Sequence, residues 1–448
     1  MMPTLETRPH PLVEQFSQLK SLLETFGSKN LQTRREDALR QFEMAGIPTS
    51  KDEEFKYTSL RILEETAFGP AYGATVTRHQ AEMAPLGKID AATLTFINGQ
   101  FAPELGILHA LPGGAFIGSL PDALSVLGED VLGHLGKVAS LEGKLGSTND
   151  ERFTHLNTAF LADGAVIYVP KNVTLSTPIH LQFLTHADHG PLVNHPRVLI
   201  VLEENAEAHV VQTFAGLDGI AFTNVVTEVV LGPGSRLEHV KLQQERSGSV
   251  FIATVAVHQE AKSVYHSVNA NFGGRIARTD LNVWLNGEYT ETRLDGAYLA
   301  SDEQVMDNHT RIDHAKPNGN SFEVYKGILR DRATGIFNGK IFVYEDAQKT
   351  DAKQTNQALL LSPTATIYTK PQLEIFADDV KCTHGATIGQ LREEALFYLR
   401  ARGIPLAEAK ALLVYAFVAE VLEKITMDDV RKGLESILYA NLGMAESS

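Results

Sequence analysis

The feature that most constrains the fold is a long β-rich stretch, from about residue 158 to residue 384, without a helical period. Short runs rich in β-branched residues, such as RVLIVL and SVFIATVAV, alternate there with turn residues, as in GPG and LNG. Runs of this kind, bounded by turns, are typical of β-strands. Because no helical segment separates them, the stretch is not a βαβ alternation.

A loose internal repeat runs through this stretch. The similar cores AEAHVV, SRLEHV, KSVYHS and GEYTET begin at residues 206, 235, 262 and 287. Later cores, from SFEVY at residue 321 to DVKCT at residue 379, follow at about half that spacing. A period of this size, made of short strands, predicts the stacked coils of a β-helix. The alternative for the same pattern is a β-sandwich with irregular spacing.

The segment before the β-rich stretch begins with helical periodicity. Between residues 11 and 65, apolar residues recur at helical spacing in two groups, which are Leu12, Phe16, Leu19, Leu22 and Leu23, and then Ala38, Phe42 and Ala45. The glycine-rich segment 66–150 is mixed and has no firm assignment.

After residue 385 the period becomes helical again. Two apolar stripes follow, formed by Leu391, Ala395, Leu396 and Leu399, and then by Ala409, Leu412, Leu413, Ala416, Phe417 and Val421. The second stripe is broad, so it is either core against the preceding helix or partly a docking face for another protein. A third helix is predicted to begin at Thr426, with Asp429 completing an approximate capping box.

These patterns predict three regions. They are a helical and mixed N-terminal region over residues 1–150, a β-helix core over residues 151–385, and a C-terminal helical domain over residues 386–448. A chain of 448 residues is long enough for two or three structural units.

Composition and charge narrow the class of partner. The net charge is −15, which disfavours binding to the phosphate backbone of nucleic acid. The single cysteine excludes an intrachain disulfide framework and suits a reducing compartment. The N-terminus lacks the apolar region of a secretory signal, and the most apolar helical run, 411–422, is too short to span a bilayer. A cytoplasmic protein without a membrane segment is expected.

The usual catalytic motifs are absent from the sequence. GIFNGKI, at residues 335–341, is one residue shorter than a phosphate-binding loop and lacks the Ser or Thr after Gly-Lys. No G-x-S-x-G elbow, Cys-x-x-Cys pair or His-Glu-x-x-His motif occurs. The sequence therefore predicts a protein that is not an enzyme.

Two other groups of polar residues are candidate metal ligands. His309 and His314 lie five residues apart, a spacing that places them side by side on neither a helix nor a strand, so structural hydrogen bonding is the favoured interpretation. Asp378 and Asp379 resemble the calcium-binding acidic clusters of β-helix polysaccharide lyases. Adjacent strand residues face opposite ways, which disfavours that second interpretation.

The only cysteine, Cys382, precedes His384 in the segment KCTHGATIGQL, where the β-rich stretch meets the helical one. A lone cysteine is most often a small buried apolar residue. On a strand, however, the two side chains share one face about 7 Å apart, which suits two ligands of one metal centre. Since iron–sulfur clusters are usually held by four cysteines, a cluster here needs ligands from another subunit.

Several segments together resemble the SufB/SufD family of iron–sulfur cluster assembly proteins. The resemblance is most specific in HTRIDHAKPNGNSFEVYKGILRDRATGIFNGKIFV and in AQKTDAKQTNQALLLSPTATIYTKPQLEIFADDVKCTHGATIGQL. It continues through EEALFYLRARGI, and PTSKDEEFKYTSL near the N-terminus is similar to a family segment. It covers nearly the whole chain, with 66–150 matching least distinctly.

Two positions favour the SufD branch of this family over the SufB branch. SufB carries a cysteine implicated in cluster building about where Asn356 stands, and a glutamate where this chain has Gly385. Both differences imply that this chain supplies less of the cluster chemistry than its partner does.

The resemblance implies a right-handed parallel β-helix core flanked by helical regions. It implies a heterodimer with SufB through the β-helix cores, the ATPase SufC docked on the C-terminal helices, and a homodimer when the chain is alone. The family's interface histidine corresponds to His384, implied to be a metal ligand of a transient iron–sulfur cluster shared with SufB; Cys382 also matches the family pattern. The alternatives are a SufB-like scaffold homodimer and a β-helix carbohydrate-active enzyme.

Overall fold

The computed structural model describes residues 11–24, 29–71, 74–108, 111–128, 133–139 and 150–443. Over these residues the chain forms a parallel β-solenoid of about eight turns, flanked by N-terminal and C-terminal helices. The β-helix prediction is therefore confirmed. The β-sandwich alternative is wrong, because consecutive long strands alternate between two sheets and pair in parallel within each sheet.

The strands before the long coils are β1 (Gly69–Pro70), β2 (Ala92–Ile97), β3 (Gln100–Phe101), β4 (Phe116–Ser119), β5 (Gly164–Val169), β6 (Ile179–His186), β7 (Leu192–Asn194) and β8 (Arg197–Leu202). The long strands are β9 (Glu207–Asp218), β10 (Ala221–Leu231), β11 (Arg236–Gln244), β12 (Val250–Gln259), β13 (Val264–Asn271), β14 (Ile276–Leu285), β15 (Glu291–Ala300), β16 (Val305–His314), β17 (Asn320–Leu329), β18 (Thr334–Val343), β19 (Asp351–Leu360), β20 (Thr366–Ile375) and β21 (Lys381–Gly389).

The α-helices of the described residues are α1 (Pro11–Leu23), α2 (Lys29–Ala45), α3 (Ile62–Glu65), α4 (Arg78–Met83), α5 (Leu120–Leu127), α6 (Arg152–Ala159), α7 (Glu393–Arg400), α8 (Leu406–Leu422) and α9 (Asp428–Asn441). Two 3₁₀ turns cover Glu53–Phe55 and Pro103–Leu105. No helix within the described residues is long and apolar enough to cross a membrane.

The two sheets explain the spacing of the sequence repeat. Sheet A runs through β5, β8 and the even-numbered strands from β10 to β20, and sheet B through β2, β6 and the odd-numbered strands from β9 to β21. Each coil therefore contributes one strand to each sheet. The first three repeat cores fall at equivalent positions of β9, β11 and β13 to within one residue, while cores at half the spacing alternate between the sheets.

The core lies between the sheets because successive strand residues point to opposite faces. Aromatic residues stack from coil to coil there: the ring centroids of Phe96 and Phe183 are 4.8 Å apart, and those of Phe183 and Phe214 are 4.9 Å apart. All three rings are almost completely buried. In-register pairing of equivalent positions produces this stacking.

Helices cover the outer faces of both sheets. Helices α1, α2 and α6 pack on sheet A, where Phe42 and Phe153 join a cluster with Phe222 and Ile252. Helices α8 and α9 pack on sheet B. Where helices cover the outer face of a sheet, both faces of the strand are buried, so strands such as β8 and β12 are apolar in nearly continuous runs. This is why their sequence shows little two-residue alternation.

The buried face of helix α8 differs from the apolar stripe that the sequence predicts. Its buried residues are Ala409, Ala411, Val414, Val418, Val421 and Leu422, whereas Ala416 of the predicted stripe is exposed. The buried face lies mainly on sheet B beside Val240 and Leu299 rather than on the preceding helix alone. Sheet B determines which face of α8 is buried, and the helical pattern of the sequence does not show that the sheet lies there.

The predicted capping box at Thr426 is wrong. Helix α9 begins two residues later, at Asp428, and no side chain caps its first turn. Thr426 instead donates its backbone N–H to Glu238 Oε1 at 2.8 Å, and its hydroxyl donates to the other oxygen of the same carboxylate. A carboxylate on β11, distant in sequence, therefore takes the place of the local cap. The last strand also continues to Gly389, past the predicted change of period at residue 385.

Two carboxyl groups in the solenoid predict a pH-dependent stability. Burial raises the pKa of both Glu245 and Glu323 to about 7, from an ordinary value near 4.5. The folded protein thus binds these protons more tightly than the unfolded chain does. Their contribution to stability is present below about pH 4.5 and is lost as the pH rises through about 7, by about 3 kcal/mol per group.

We therefore expect Glu245→Gln and Glu323→Gln to flatten this dependence, because glutamine does not titrate. Denaturant unfolding at pH 5 and pH 8 measures the difference, with the wild-type protein losing more stability between the two values than either variant. Equal losses in all three proteins would contradict the assignment.

Candidate functional site

The two ends of the solenoid differ. At the N-terminal end, β3 pairs antiparallel with β2 and β4 pairs antiparallel with β5, while Phe101 and Ile117 pack against the core. At the other end, the parallel strands β20 and β21 are the last strands of sheets A and B, and inward side chains of β21 such as Ile388 are exposed. We call this second end, formed by β20 and β21, the open end.

The open end exposes side chains that would be core residues in an earlier coil. The register pairs Cys382 with Ala352, His384 with Gln354 and Ile388 with Ala358, and all three residues on β19 are buried. In sheet A, the register likewise pairs Thr369 of β20 with the buried Phe337 of β18. The inward row of β21 therefore consists of Cys382, His384, Ala386 and Ile388.

Large apolar side chains at the open end are accessible. Ile388 is 51% exposed, Ile375 39% and Phe376 59%. Tyr368, on the outer face of β20, is 40% exposed. On their outer edges, β20 and β21 present backbone N–H and C=O groups that pair with no further strand of the described residues, and these edges lie beside the apolar patch. Edges of this kind are templates for pairing with another strand.

The structure brings both predicted site residues to this end. Cys382 and His384 share the inward face of β21, as the Cys-x-His spacing predicts. His384 is exposed, whereas Cys382 is half-buried and packs beside Ile341, Val343 and Ala352. Burial raises the pKa of the Cys382 thiol, so less of it is in the thiolate form that binds metal.

The described residues contain no group of three or more His, Cys, Asp or Glu side chains placed to hold a metal ion. The inward row of β21 at the open end contains one imidazole, that of His384, and one thiol, that of Cys382. Neutral imidazole ligates iron, and thiolate is the usual ligand of iron–sulfur clusters.

The structural interpretation of His309 and His314 is confirmed. They lie on opposite faces of β16, so they do not form a metal pair. His314 is buried between the sheets, with Nε2 2.9 Å from the Ser321 hydroxyl. His309 lies on the outer face, with Nδ1 3.1 Å from Glu54 Oε2 and Nε2 3.0 Å from Asp307 Oδ1.

The remaining candidate motifs have structural roles. Asp379, in the turn between β20 and β21, forms an ion pair with Lys349. GIFNGKI is part of β18 rather than a loop, and Lys340 within it pairs with Glu374 at 2.6 Å. These contacts do not support the calcium or phosphate interpretations.

The N-terminal segment at residues 51–58 crosses the outer face of sheet A and contacts β16 and β20, a role that the sequence does not predict. Thr58 Oγ1 donates to Asp307 at 2.6 Å, and Lys370 Nζ on β20 is 2.7 Å from Glu53. Tyr57 stacks on Tyr368, with ring centroids 3.9 Å apart. The segment therefore supports β20, one of the two free edges. These partners lie hundreds of residues away, and the sequence contains no signal that pairs them.

The same segment stabilises a charged imidazole. Burial and the nearby Arg278 oppose protonation of His309, but Asp307 and Glu54 outweigh them and raise its pKa to about 9. Arg278 also lies over the Phe55 ring, 3.9 Å from its centroid, and bonds Asp307 at 2.9 Å. This network joins the N-terminal segment to the solenoid.

Two protein-family models match this chain and together cover most of it. The SufBD core domain of the SUF system for FeS cluster assembly matches residues 183–417, which is more than half of the chain. The SufBD protein N-terminal region matches residues 7–181.

Individual relatives agree with these matches. An iron–sulfur cluster assembly SufBD family protein of Synechocystis is 34% identical over 390 residues, 85% of this chain and 84% of that protein. The chloroplastic protein ABCI7 of Arabidopsis thaliana is 34% identical over 397 residues, 86% of this chain and 80% of that protein. The iron–sulfur cluster assembly protein SufD of Escherichia coli is 31% identical over 427 residues, 94% of each. The chain therefore belongs to the SufBD family of iron–sulfur cluster assembly proteins.

Proposed function

We propose that this chain is a non-catalytic scaffold subunit of a cytoplasmic SufBCD complex. It pairs with SufB through the open end, and a transient iron–sulfur cluster is built between the two subunits. His384 is a metal ligand of that cluster, and SufC binds the C-terminal helices. The observation that carries the proposal is the contrast between the N-terminal end, where core residues such as Phe96 are buried, and the open end, where His384 and Ile388 of the inward row are exposed.

Pairing through the open end is supported by its edges and its apolar side chains. A partner with a similar solenoid would extend both sheets by hydrogen bonding to β20 and β21 and would cover Ile375, Phe376 and Ile388. His384 would then lie at the junction of the two cores. Its imidazole is a suitable metal ligand there, because the partner can supply the thiolates that this chain lacks.

Cys382 has a smaller role in this proposal. It lies on the same face of β21 as His384, but its packing and raised pKa favour the neutral thiol. Cluster binding by Cys382 would require the interface to expose it. ATP hydrolysis by SufC is expected to shift the scaffold pair between two arrangements, which would provide such exposure.

Co-expression with SufB and SufC, followed by size-exclusion chromatography and iron and sulfide analysis, tests the proposal. A complex of all three proteins that accumulates iron and sulfide anaerobically is expected. A chain that remains alone or only self-associates in the presence of SufB would contradict the pairing.

Docking of SufC is supported by two aromatic residues on α7. Phe397 is 75% exposed and Tyr398 57% exposed, although helix α8 behind them is packed on sheet B. We expect Phe397→Ala combined with Tyr398→Ala to weaken SufC binding by about tenfold or more, since buried aromatic anchors dominate interfaces. Affinity co-purification with SufC measures the effect.

Tyr289→Ala is the matched control, because Tyr289 is similarly exposed but lies before β15. It should leave SufC binding unchanged. Point variants are preferable to removal of residues 386–448, which would uncover the apolar outer face of sheet B. Unchanged SufC binding by the α7 variant would contradict this docking site.

A further inference from the structure

A column of inward-facing residues leads from the interior of the solenoid to His384. The parallel register places Glu323 of β17, Gln354 of β19 and His384 of β21 at equivalent positions of three successive coils. Equivalent residues on neighbouring strands are about 4.8 Å apart, so their side chains are within hydrogen-bonding range of each other. Glu323 and Gln354 are both buried.

The orientation of the Gln354 amide is set from the interior side. Its Nε2 donates to Glu323 Oε2 at 2.7 Å. The nitrogen and oxygen of a primary amide point in different directions, so an Nε2 directed at the preceding coil turns Oε1 away from it.

Gly339 provides the space that this orientation needs. It lies on β18, across the interior from Gln354, and a Cβ at this position would be 2.3 Å from Gln354 Nε2 and 2.7 Å from its Cδ. Any side chain at residue 339 would therefore displace the amide. This explains a glycine of the GIFNGKI motif that has no phosphate-binding role.

Gln354 Oε1 is buried and has no hydrogen-bond partner among the described residues. A buried acceptor without a partner is costly and uncommon in proteins. The strand that follows β19 in sheet B is β21, and the residue in register with Gln354 is His384. His384 carries an imidazole, whose N–H is a donor of the kind that this buried oxygen lacks.

We propose that Gln354 is a positioning residue that accepts a hydrogen bond from one imidazole N–H of His384 and directs the other nitrogen towards the partner-facing side. This proposal rests on the proposed metal-binding role of His384. Metal-binding histidines usually donate their second N–H to a carbonyl or carboxylate, which fixes the tautomer and the ring orientation. Glu323 holds the acceptor in place, and Gly339 leaves room for it.

The first test measures the tautomer of His384 in the isolated full chain by long-range ¹H–¹⁵N NMR near pH 8, with the resonance assigned from His384→Ala. One tautomer should dominate in the wild-type protein. Gln354→Met, which keeps the length of the side chain but removes the acceptor, should give a mixture close to that of free imidazole. Gly339→Ala should shift the ratio the same way, whereas Glu323→Gln, which retains an acceptor for Nε2, should preserve the wild-type ratio.

Asn356→Leu is the matched control. Asn356 is the next inward residue of β19, and its amide bonds Thr369 at 2.9 Å rather than the column. This variant removes a partly buried side-chain hydrogen bond of the same strand and should leave the tautomer of His384 unchanged. If Gln354→Met has the wild-type tautomer ratio, or if Asn356→Leu changes the ratio equally, the positioning role is wrong.

The second test measures anaerobic Fe²⁺ binding by the pair with SufB. Gln354→Met should weaken binding by about tenfold to a hundredfold, as loss of such supporting hydrogen bonds usually does. Unchanged binding by Gln354→Met, with binding lost in His384→Ala, would overturn the role of Gln354 alone. Unchanged binding by His384→Ala would instead overturn the proposed role of His384. The tautomer measurement would then still test whether Gln354 accepts a hydrogen bond from the His384 imidazole.

Discussion

Replacing His384 by alanine is expected to reduce anaerobic cluster formation by the complex with SufB and SufC by about tenfold or more. The reason is that His384 is the only metal-ligating side chain that is exposed in the inward row of β21, because its neighbour in that row, Cys382, is a half-buried thiol with a raised pKa. Without the imidazole, the inward row of β21 retains no exposed side chain that can bind a metal. Visible absorbance and iron-to-sulfide analysis of the reconstituted complex measure the loss.

Assembly of the complex should survive the change, because alanine removes no apolar contact at the open end. Thr383→Ala is the matched control, since Thr383 is the adjacent residue of β21 and points to the opposite face. It should form clusters at the wild-type level. Cys382→Ala should have a smaller effect than His384→Ala. Cluster formation by His384→Ala at the wild-type rate would show that His384 is not a required ligand.

The second large effect is expected from charge at the open end. Ile375→Asp combined with Ile388→Asp should weaken pairing with SufB by more than about 100-fold, because two unpaired carboxylates would be buried in the interface. Both side chains are already substantially exposed in the isolated chain, so the variant should fold normally. Size-exclusion chromatography with light scattering gives the mass of the species formed with SufB.

Val126→Asp is the control for this prediction. Val126 is 68% exposed on α5, which lies in the N-terminal region, so the substitution adds a charge without touching β20 or β21. It should leave the pair intact. A stable pair formed by the double aspartate variant would show that SufB binds elsewhere. The same variant would also disrupt a homodimer formed through this end.

The architecture was predictable because the solenoid repeats locally. Each coil places a strand in the same register on its predecessor, and the repeat cores at residues 206, 235 and 262 mark equivalent positions of sheet B to within one residue. Beyond residue 321 the spacing of the repeat cores is halved, because there each strand of a coil, in sheet A as well as in sheet B, contains a recognisable core. Helices α1 and α2 were predictable for the same reason, since their apolar residues recur at helical spacing.

The errors share a different cause. Thr426 has the sequence of a helix cap, but Glu238 on sheet B captures it, and α9 begins at Asp428 instead. Ala416 fits an apolar stripe, but it is exposed because α8 rests on the sheet with another face. In each case a surface formed by distant residues overrides a local preference.

For the candidate site, the Cys-x-His spacing on a strand correctly placed Cys382 and His384 on one face, because strand geometry depends only on adjacent residues. No local pattern could show that their strand is the last of sheet B, that Cys382 is half-buried while His384 is exposed, or that Gln354 is in register with His384 and faces Gly339. Those properties depend on the number of coils and on contacts between the sheets. Periodicity along the chain therefore predicts the solenoid, whereas only its three-dimensional packing creates an open end.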